Sequence, residues 1–196
     1  MKGEAEPAIQ LLTEQGIVRV PTGKWQVDPA HSSVEFEIKH LMIATVRGRF
    51  SEFEGTIVAA EDIYDSKAWG VVKTASIDTN EPKRDAHLRS PDFFDVERYP
   101  ELTFESTWID PLGGAGFDVV GNLTIKDVTR EVELRATIEG AERDPWGQYR
   151  LGVRVRGRID RRDFGLTWQQ ALEGGGLLIG DEVKLLIDIS AVRAEP

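Results

Sequence analysis

The chain has 196 residues, a formal net charge of −10 and a hydrophobic fraction of 40%. This length suits one globular domain with a buried core, and the acidic balance argues against a nucleic-acid-binding protein, which would show an excess of basic residues. Because the chain has no cysteine, it has no disulfide framework, no thiol nucleophile and no thiolate-ligated metal centre.

The first 23 residues differ in pattern from the rest. Residues 8–15 are compatible with one or two helical turns that Gly16 would stop, and Pro21 and Gly23 then break the chain. We interpret residues 1–23 as an N-terminal extension and residues 24–196 as the folded domain. The N-terminus lacks the apolar segment of a secretory signal, and no apolar run is long enough to span a membrane, so we expect a cytoplasmic protein.

From Trp25 onward, apolar and polar residues alternate with period two, which indicates β-strands. Eight or nine such strands with short connections predict an antiparallel sandwich or barrel. Two short helices are predicted between strands, at residues 82–89 and 166–173. The alternation predicts these inward-facing residues: Val34, Phe36, Ile38 and His40; Leu102, Phe104, Ser106 and Trp108; Val119, Gly121, Leu123 and Ile125; Val132, Leu134, Ala136 and Ile138; Leu151, Val153, Val155, Gly157 and Ile159; and Val183, Leu185, Ile187 and Ile189.

Strands are also predicted near residues 45–50, 53–60 and 69–77, but the pattern there does not separate an inward face from an outward one. An eight-stranded barrel lies at the threshold between a packed interior and one that holds a small ligand. Periodicity alone leaves both possibilities open.

The three histidines, His31, His40 and His87, are the neutral nitrogen ligands that a metal site would need. None has a second ligand at i+2 or i+4, and a hydrogen-bonded imidazole at a strand end is the more ordinary explanation. The sequence therefore predicts no metal site.

Residues 84–95 are the densest polar stretch of the chain. His87 lies there with Asp85 and Asp92, beside two phenylalanines. These residue types suit an acid–base pair or a head-group site at the mouth of a pocket. For the aspartates we prefer a connection in which they cap turns and pair with arginines, whereas for His87 and the phenylalanines both interpretations stay open.

Several short stretches of the sequence resemble those of a known protein family. They are residues 25–32 (WQVDPAHS), 34–42 (VEFEIKHLM), 46–50 (VRGRF), 76–80 (SIDTN), 84–94 (RDAHLRSPDFF), 99–106 (YPELTFES), 121–130 (GNLTIKDVTR), 163–166 (DFGL) and 180–183 (GDEV). From Trp25 to Ala191 the chain resembles the YceI-like family of polyisoprenoid-binding proteins, whereas residues 1–23 fall outside the resemblance.

The resemblance implies an all-β fold: an extended, lipocalin-like, antiparallel eight-stranded β-barrel with one or two short helices. It also implies an apolar tunnel that holds an isoprenoid chain, and it favours a homodimer. We place His40 and His87 near the tunnel mouth. The predicted ligand-binding residues are Phe36, Ile38, His40, Leu41, Met42, Phe50, Ile77, His87, Leu88, Phe93, Phe94, Phe104, Leu123, Val153, Phe164 and Trp168.

We therefore expect a non-enzymatic protein that binds a polyprenyl chain or isoprenoid-quinone tail for transport, storage or isoprenoid-quinone metabolism. It would have no cofactor besides the bound lipid, no nucleic-acid partner and a transient contact with membranes. One alternative is an enzyme that acts on an isoprenoid-like lipid with His87 and Asp85 or Asp92 as acid–base groups. Another is a barrel with a filled core that binds a protein partner.

Overall fold

The computed structural model describes residues 11–172 and 176–194, and these residues form one α-helix and thirteen β-strands. The helix, α1, covers Pro82–Arg89. Within these residues, no helix is long and apolar enough to cross a bilayer. The strands are β1 (Leu12–Glu14), β2 (Ile17–Arg19), β3 (Gly23–Val27), β4 (Ser33–His40), β5 (Ala44–Phe50), β6 (Phe53–Ala59), β7 (Lys67–Lys73), β8 (Ile77–Asp78), β9 (Glu101–Gly113), β10 (Gly116–Ile125), β11 (Val128–Arg143), β12 (Tyr149–Asp160) and β13 (Ile179–Arg193).

Eight strands close into an antiparallel barrel. Their order is β12-β11-β10-β9-β7-β6-β3-β13, and β12 pairs with β13 to complete the ring. Strand β13 runs from Ile179, at what we call the lower end, to Arg193 at the upper end. Its second edge pairs with β3 at Ala191–Arg193 and with β4 between Ile179 and Asp188, so β4, β5 and β8 extend the wall at the lower end. The predicted eight-stranded antiparallel barrel is confirmed.

The alternating pattern places its apolar side chains inside, with one exception. Val183, Leu185, Ile187 and Ile189 of β13 all face the interior, because successive side chains of a strand point to opposite faces. The prediction for Trp108 was wrong.

Strand β9 carries a bulge that explains the exception. Val120 pairs with Trp108, but the next residue, Gly121, pairs with Ser106. The extra residue between them inverts the alternation beyond it. Trp108 therefore faces solvent, and Ile109 is buried instead.

The N-terminal segment forms a hairpin, so the prediction of helical turns was wrong for its described part; residues 8–10 lie outside the described range. Strands β1 and β2 pair through a turn at Gln15 and Gly16, whose φ angles are 52° and 78°. Two positive φ angles suit a tight hairpin turn and not a helix. The hairpin is held to the β9–β10 turn, because Val18 donates its backbone N–H to the Gly114 carbonyl at 2.7 Å.

Helix α1 matches its prediction, and Glu81 caps its start by accepting from the backbone N–H groups of Lys83 and Arg84. The second predicted helix, at residues 166–173, is absent over the residues described there, and residue 173 lies outside them.

Tertiary hydrogen bonds explain why that segment is not helical. The Arg161 guanidinium, only 4% exposed, donates to the carbonyls of Leu166 and Trp168. Gln169 pairs through its side chain with both backbone groups of Ile179. A helix would need those carbonyl oxygens for its own ladder, so the contacts with Arg161 and β13 favour an extended chain.

Candidate ligand-binding cavity

The barrel encloses a cavity of about 690 Å³ with a predominantly apolar wall. This volume lies within the range of pockets that bury small molecules. The cavity follows the inner face of β13 from Ile179 to Ile189, and ten residues of strand span about 33 Å. Its shape therefore suits a long, narrow, apolar ligand.

The upper end of the cavity is covered by the N-terminal hairpin. Val18, Arg19 and Val20 all line it. The Arg19 side chain anchors the hairpin, because it donates to the Glu61 carbonyl at 2.8 Å and pairs with Glu14 at 3.2 Å. The sequence pattern did not indicate this cover, because it predicted only an N-terminal extension.

The lower end is formed by β4, α1 and the segment after Phe164. His40, the last residue of β4, pairs with Ile179. His87 of α1 contacts Trp168, with ring centroids 4.8 Å apart. Since Arg161 bonds both the Trp168 and the Gly180 carbonyls, the two histidines lie at the same end of the barrel. Both line the cavity.

Most of the sequence-predicted site residues come together around this cavity. Its lining includes Phe36, Ile38, His40, Phe50, His87, Leu88, Phe93, Phe94, Phe104, Leu123, Val153 and Trp168.

Four predicted residues do not line the cavity. Leu41 and Met42 lie in the β4–β5 turn with their side chains in solvent. Ile77 and Phe164 are fully buried, but they pack behind the wall, in clusters with Phe50 and with Leu166 respectively. A cavity wall and the core behind it have the same apolar composition, so sequence did not separate them.

Sequence reasoning also missed lining residues on the strands whose inward face was unclear. Val46, Phe53, Ile57 and Val72 are among them. The alternation of β6 and β7 is weak, since Gly55, Thr56 and Gly70 interrupt the apolar pattern. The inward faces of these strands become clear only from the pairing of β6 with β3 and of β7 with β9.

His87 has a defined environment at the lower end. Its ring packs edge-on against Phe93 at 5.1 Å between centroids, and its Nε2 atom lies 2.8 Å from Oδ2 of Asp92. Asp85 is not part of this arrangement, because its buried carboxylate accepts from the backbone N–H and hydroxyl of Thr79. Asp92 is therefore the carboxylate that orients His87.

The remaining histidine lies at the upper rim. His31 Nδ1 is 2.7 Å from Asp28, which also accepts from Arg150 at 2.7 Å. These contacts hold the pKa of Asp28 at about 2, and Arg150 contributes most. Over the described ranges, no group of three His, Asp or Glu side chains is placed to hold a metal ion.

Residues 25–191 match the family model described as a YceI-like domain. The chain belongs to the YceI-like family. A UPF0312 protein of Pectobacterium atrosepticum is 35% identical over 187 residues, which cover 95% of this chain and 94% of that protein. This YceI-like chain thus extends over nearly the full length of that relative.

Solved structures share the fold. BcnA of Burkholderia cenocepacia superposes with a TM-score of 0.74 at 24% identity, covering 84% of this chain and 98% of BcnA. A polyisoprenoid-binding domain from Saccharophagus degradans superposes with a TM-score of 0.64 at 16% identity, covering 87% and 98% of the two chains. At these identities the likeness shows that the YceI-like barrel is common to all three.

Proposed function

We propose that this protein binds a long isoprenoid lipid, a polyprenyl chain or an isoprenoid-quinone tail, inside the barrel. The observation that carries the proposal is the elongated apolar cavity of about 690 Å³ along β13. Membership of the YceI-like family supports it, as does the barrel shared with a domain described as polyisoprenoid-binding.

The energetics indicate where selectivity comes from. Moving one five-carbon unit from water into an apolar site gains roughly 4 kcal/mol, so several units would exceed the observed limit of about −18 to −21 kcal/mol for binding. A tail taken from a membrane is already in hydrocarbon, and its transfer is nearly neutral. Net capture then depends on the cavity shape and on polar groups that meet the head group.

The lower end supplies such groups. His40 and His87 line the cavity there together with Lys39, Lys83 and Arg84. Imidazole and cationic side chains donate hydrogen bonds to carbonyl, hydroxyl or phosphate oxygens. In this proposal the head group lies at the lower end and the tail extends toward the N-terminal hairpin.

The role that fits this arrangement is transport or storage of the lipid, or delivery to isoprenoid-quinone metabolism, without catalysis or a further cofactor. The test is native mass spectrometry of freshly purified protein, followed by solvent extraction. We expect an added mass that extracts as an isoprenoid. Protein that is free of lipid and does not take up farnesol would contradict the proposal.

Homodimer formation and a cytoplasmic location stay predictions. The same native mass spectrum reports the subunit number, and cell fractionation reports the compartment.

A second candidate function is an enzyme acting on an isoprenoid-like lipid, favoured by the His87–Asp92 pair at the cavity. It predicts conversion of the bound lipid over time, lost in His87→Ala and Asp92→Asn while the lipid stays bound. The binding proposal predicts that the extracted lipid is recovered unchanged from the parent protein and from both variants.

A further inference from the structure

The turn between β4 and β5 presents three consecutive aliphatic side chains to solvent. Ile43 is 83% exposed, Met42 is 61% exposed, and Leu41 is also exposed. Single exposed apolar residues are ordinary, but a contiguous apolar tip on a soluble domain marks an interaction site. We call residues 41–43 the apolar tip.

The backbone of the apolar tip is also unusual. Leu41 and Met42 have φ angles of 53° and 59°, in the left-handed region that favours glycine and asparagine. A hairpin turn of this kind usually carries those residues. Bulky apolar residues thus occupy positions that the turn itself disfavours, which points to a role for their side chains.

The apolar tip stands at the rim of the cavity. The backbone N–H of Leu41 donates to the Leu178 carbonyl at 2.8 Å. His40, Leu178 and Ile179 all line the lower end of the cavity. A surface that covered the tip would therefore lie directly against the end where the head group is placed.

The β4–β5 hairpin that carries the apolar tip differs in charge from the whole chain. Residues 38–51 contain no Asp or Glu, although the chain has 34 such residues and a net charge of −10. The stretch carries Lys39, Arg47 and Arg49. Arg47 pairs with Glu37 and Arg49 with Asp78, whereas Lys39 donates to the Thr45 hydroxyl across the hairpin. This distribution lowers the repulsion that an acidic protein meets at an anionic lipid surface.

A second copy of the chain does not fit the apolar tip well. Three aliphatic side chains offer on the order of 300 Å² of apolar surface, whereas a stable protein interface buries about 800 Å² on each partner. We propose that the apolar tip inserts into the surface of a lipid bilayer and brings the lower end of the cavity against it. Passage of an isoprenoid between bilayer and cavity through this contact rests on the proposed function; the insertion does not.

A unique cysteine tests the insertion, because the chain has none of its own. An environment-sensitive fluorophore is attached at Ile43→Cys and, as a control, at Gln148→Cys in the opposite β11–β12 turn. These turns lie near Ile179 and Val192 of β13, about 43 Å apart along the strand. With vesicles of phosphatidylcholine and phosphatidylglycerol, we expect an emission increase at position 43 and none at position 148.

Three results would overturn the proposal: no change at position 43, equal changes at both positions, or a change at position 43 that follows protein concentration without vesicles. The last would assign the tip to a second copy. A double variant, Met42→Asp with Ile43→Asp, should bind the vesicles at least tenfold more weakly. Trp146→Asp removes another exposed apolar side chain and should bind as the parent protein does.

Transfer of geranylgeraniol from these vesicles separates the two proposals. If both hold, the double Asp variant takes it up at least tenfold more slowly from vesicles but binds it with unchanged affinity when it is added without lipid. If neither the parent protein nor the double Asp variant binds geranylgeraniol while the label at position 43 still responds, the proposed function fails and the insertion stands. Equal uptake rates from vesicles would contradict a role of the tip in transfer.

Discussion

The ring of Phe36 occupies the space that a side chain at Gly48, its cross-strand partner, would need. A Cβ atom on Gly48 would overlap the ring at Cζ. The Phe104 ring likewise occupies the space beside Gly121, although Gly121 pairs with Ser106 and Phe104 is its diagonal neighbour. Both phenylalanine rings line the cavity, so two glycines set the position of two wall residues.

Gly48→Ala should therefore push the Phe36 ring into the cavity. The overlap falls at the far end of the ring, which packs against Phe50, so we expect a loss of about 1–3 kcal/mol in unfolding free energy and a shift of the bound lipid toward shorter chains. Urea unfolding and the mass of the extracted lipid measure the two effects. Gly140→Ala is the matched control, because nothing lies within 4 Å of a Cβ there; an equal effect of both variants would contradict the prediction.

Arg161→Met should destabilise the lower end by about 3 kcal/mol. The buried guanidinium bonds three carbonyl oxygens and the Asp181 carboxylate, and its removal leaves these acceptors without their donor. Arg162→Met is the control, since the Arg162 side chain is exposed where it pairs with Asp160 and Asp181 and these pairs should contribute less than about 1 kcal/mol. The comparison uses urea midpoints, and similar losses would argue against the role of Arg161.

Stability should fall as the pH falls from about 4 to about 2. The folded pKa of Asp28 is about 2, below the ordinary value of 3.8, so the folded state favours the carboxylate. The stabilisation is present above the ordinary pKa and is lost as the pH falls through the folded pKa. Asp28→Asn should lose on the order of 1 kcal/mol at neutral pH and show a shallower decline below pH 4, measured by thermal unfolding across that range; a parallel decline would contradict the assignment.

The N-terminal hairpin should act as the upper cover of the cavity. Val18→Asp places a charge in the apolar wall, which is unfavourable without a partner, so the hairpin should detach. We expect several-fold faster release of farnesol and faster tryptic cleavage after Arg19. Thr13→Asp, on the exposed partner position of the hairpin, should leave both rates unchanged.

His40→Phe combined with His87→Phe should keep the tail site and change head-group selection. The aromatic replacement preserves apolar contacts but removes hydrogen-bonding groups at the lower end. The masses of extracted lipids should broaden to include other head groups. His31→Phe, at the upper rim, is the control. Unchanged lipid content and selectivity in the double variant would contradict the placement of the head group.

Sequence predicted the strands of the closed barrel where alternation was regular. The inward faces of β10 to β13 follow from period two alone, because the alternation of side chains is a local property of a strand. The family resemblance, carried by short motifs, then favoured a tunnel over a filled core. The prediction of helix α1 followed from Pro82, which suits the first turn of a helix.

Only the tertiary structure decided the features that depend on distant partners. The bulge at Trp108 arises from pairing between β9 and β10, and the extended segment after Phe164 arises from Arg161 and β13. The same holds for the N-terminal hairpin, which is docked through Gly114, and for the difference between wall residues such as Phe36 and core residues such as Phe164. The physical reason is that a strand's alternation is local, whereas its register, its partners and the depth of each side chain are set by hydrogen bonds and packing between residues far apart in the chain.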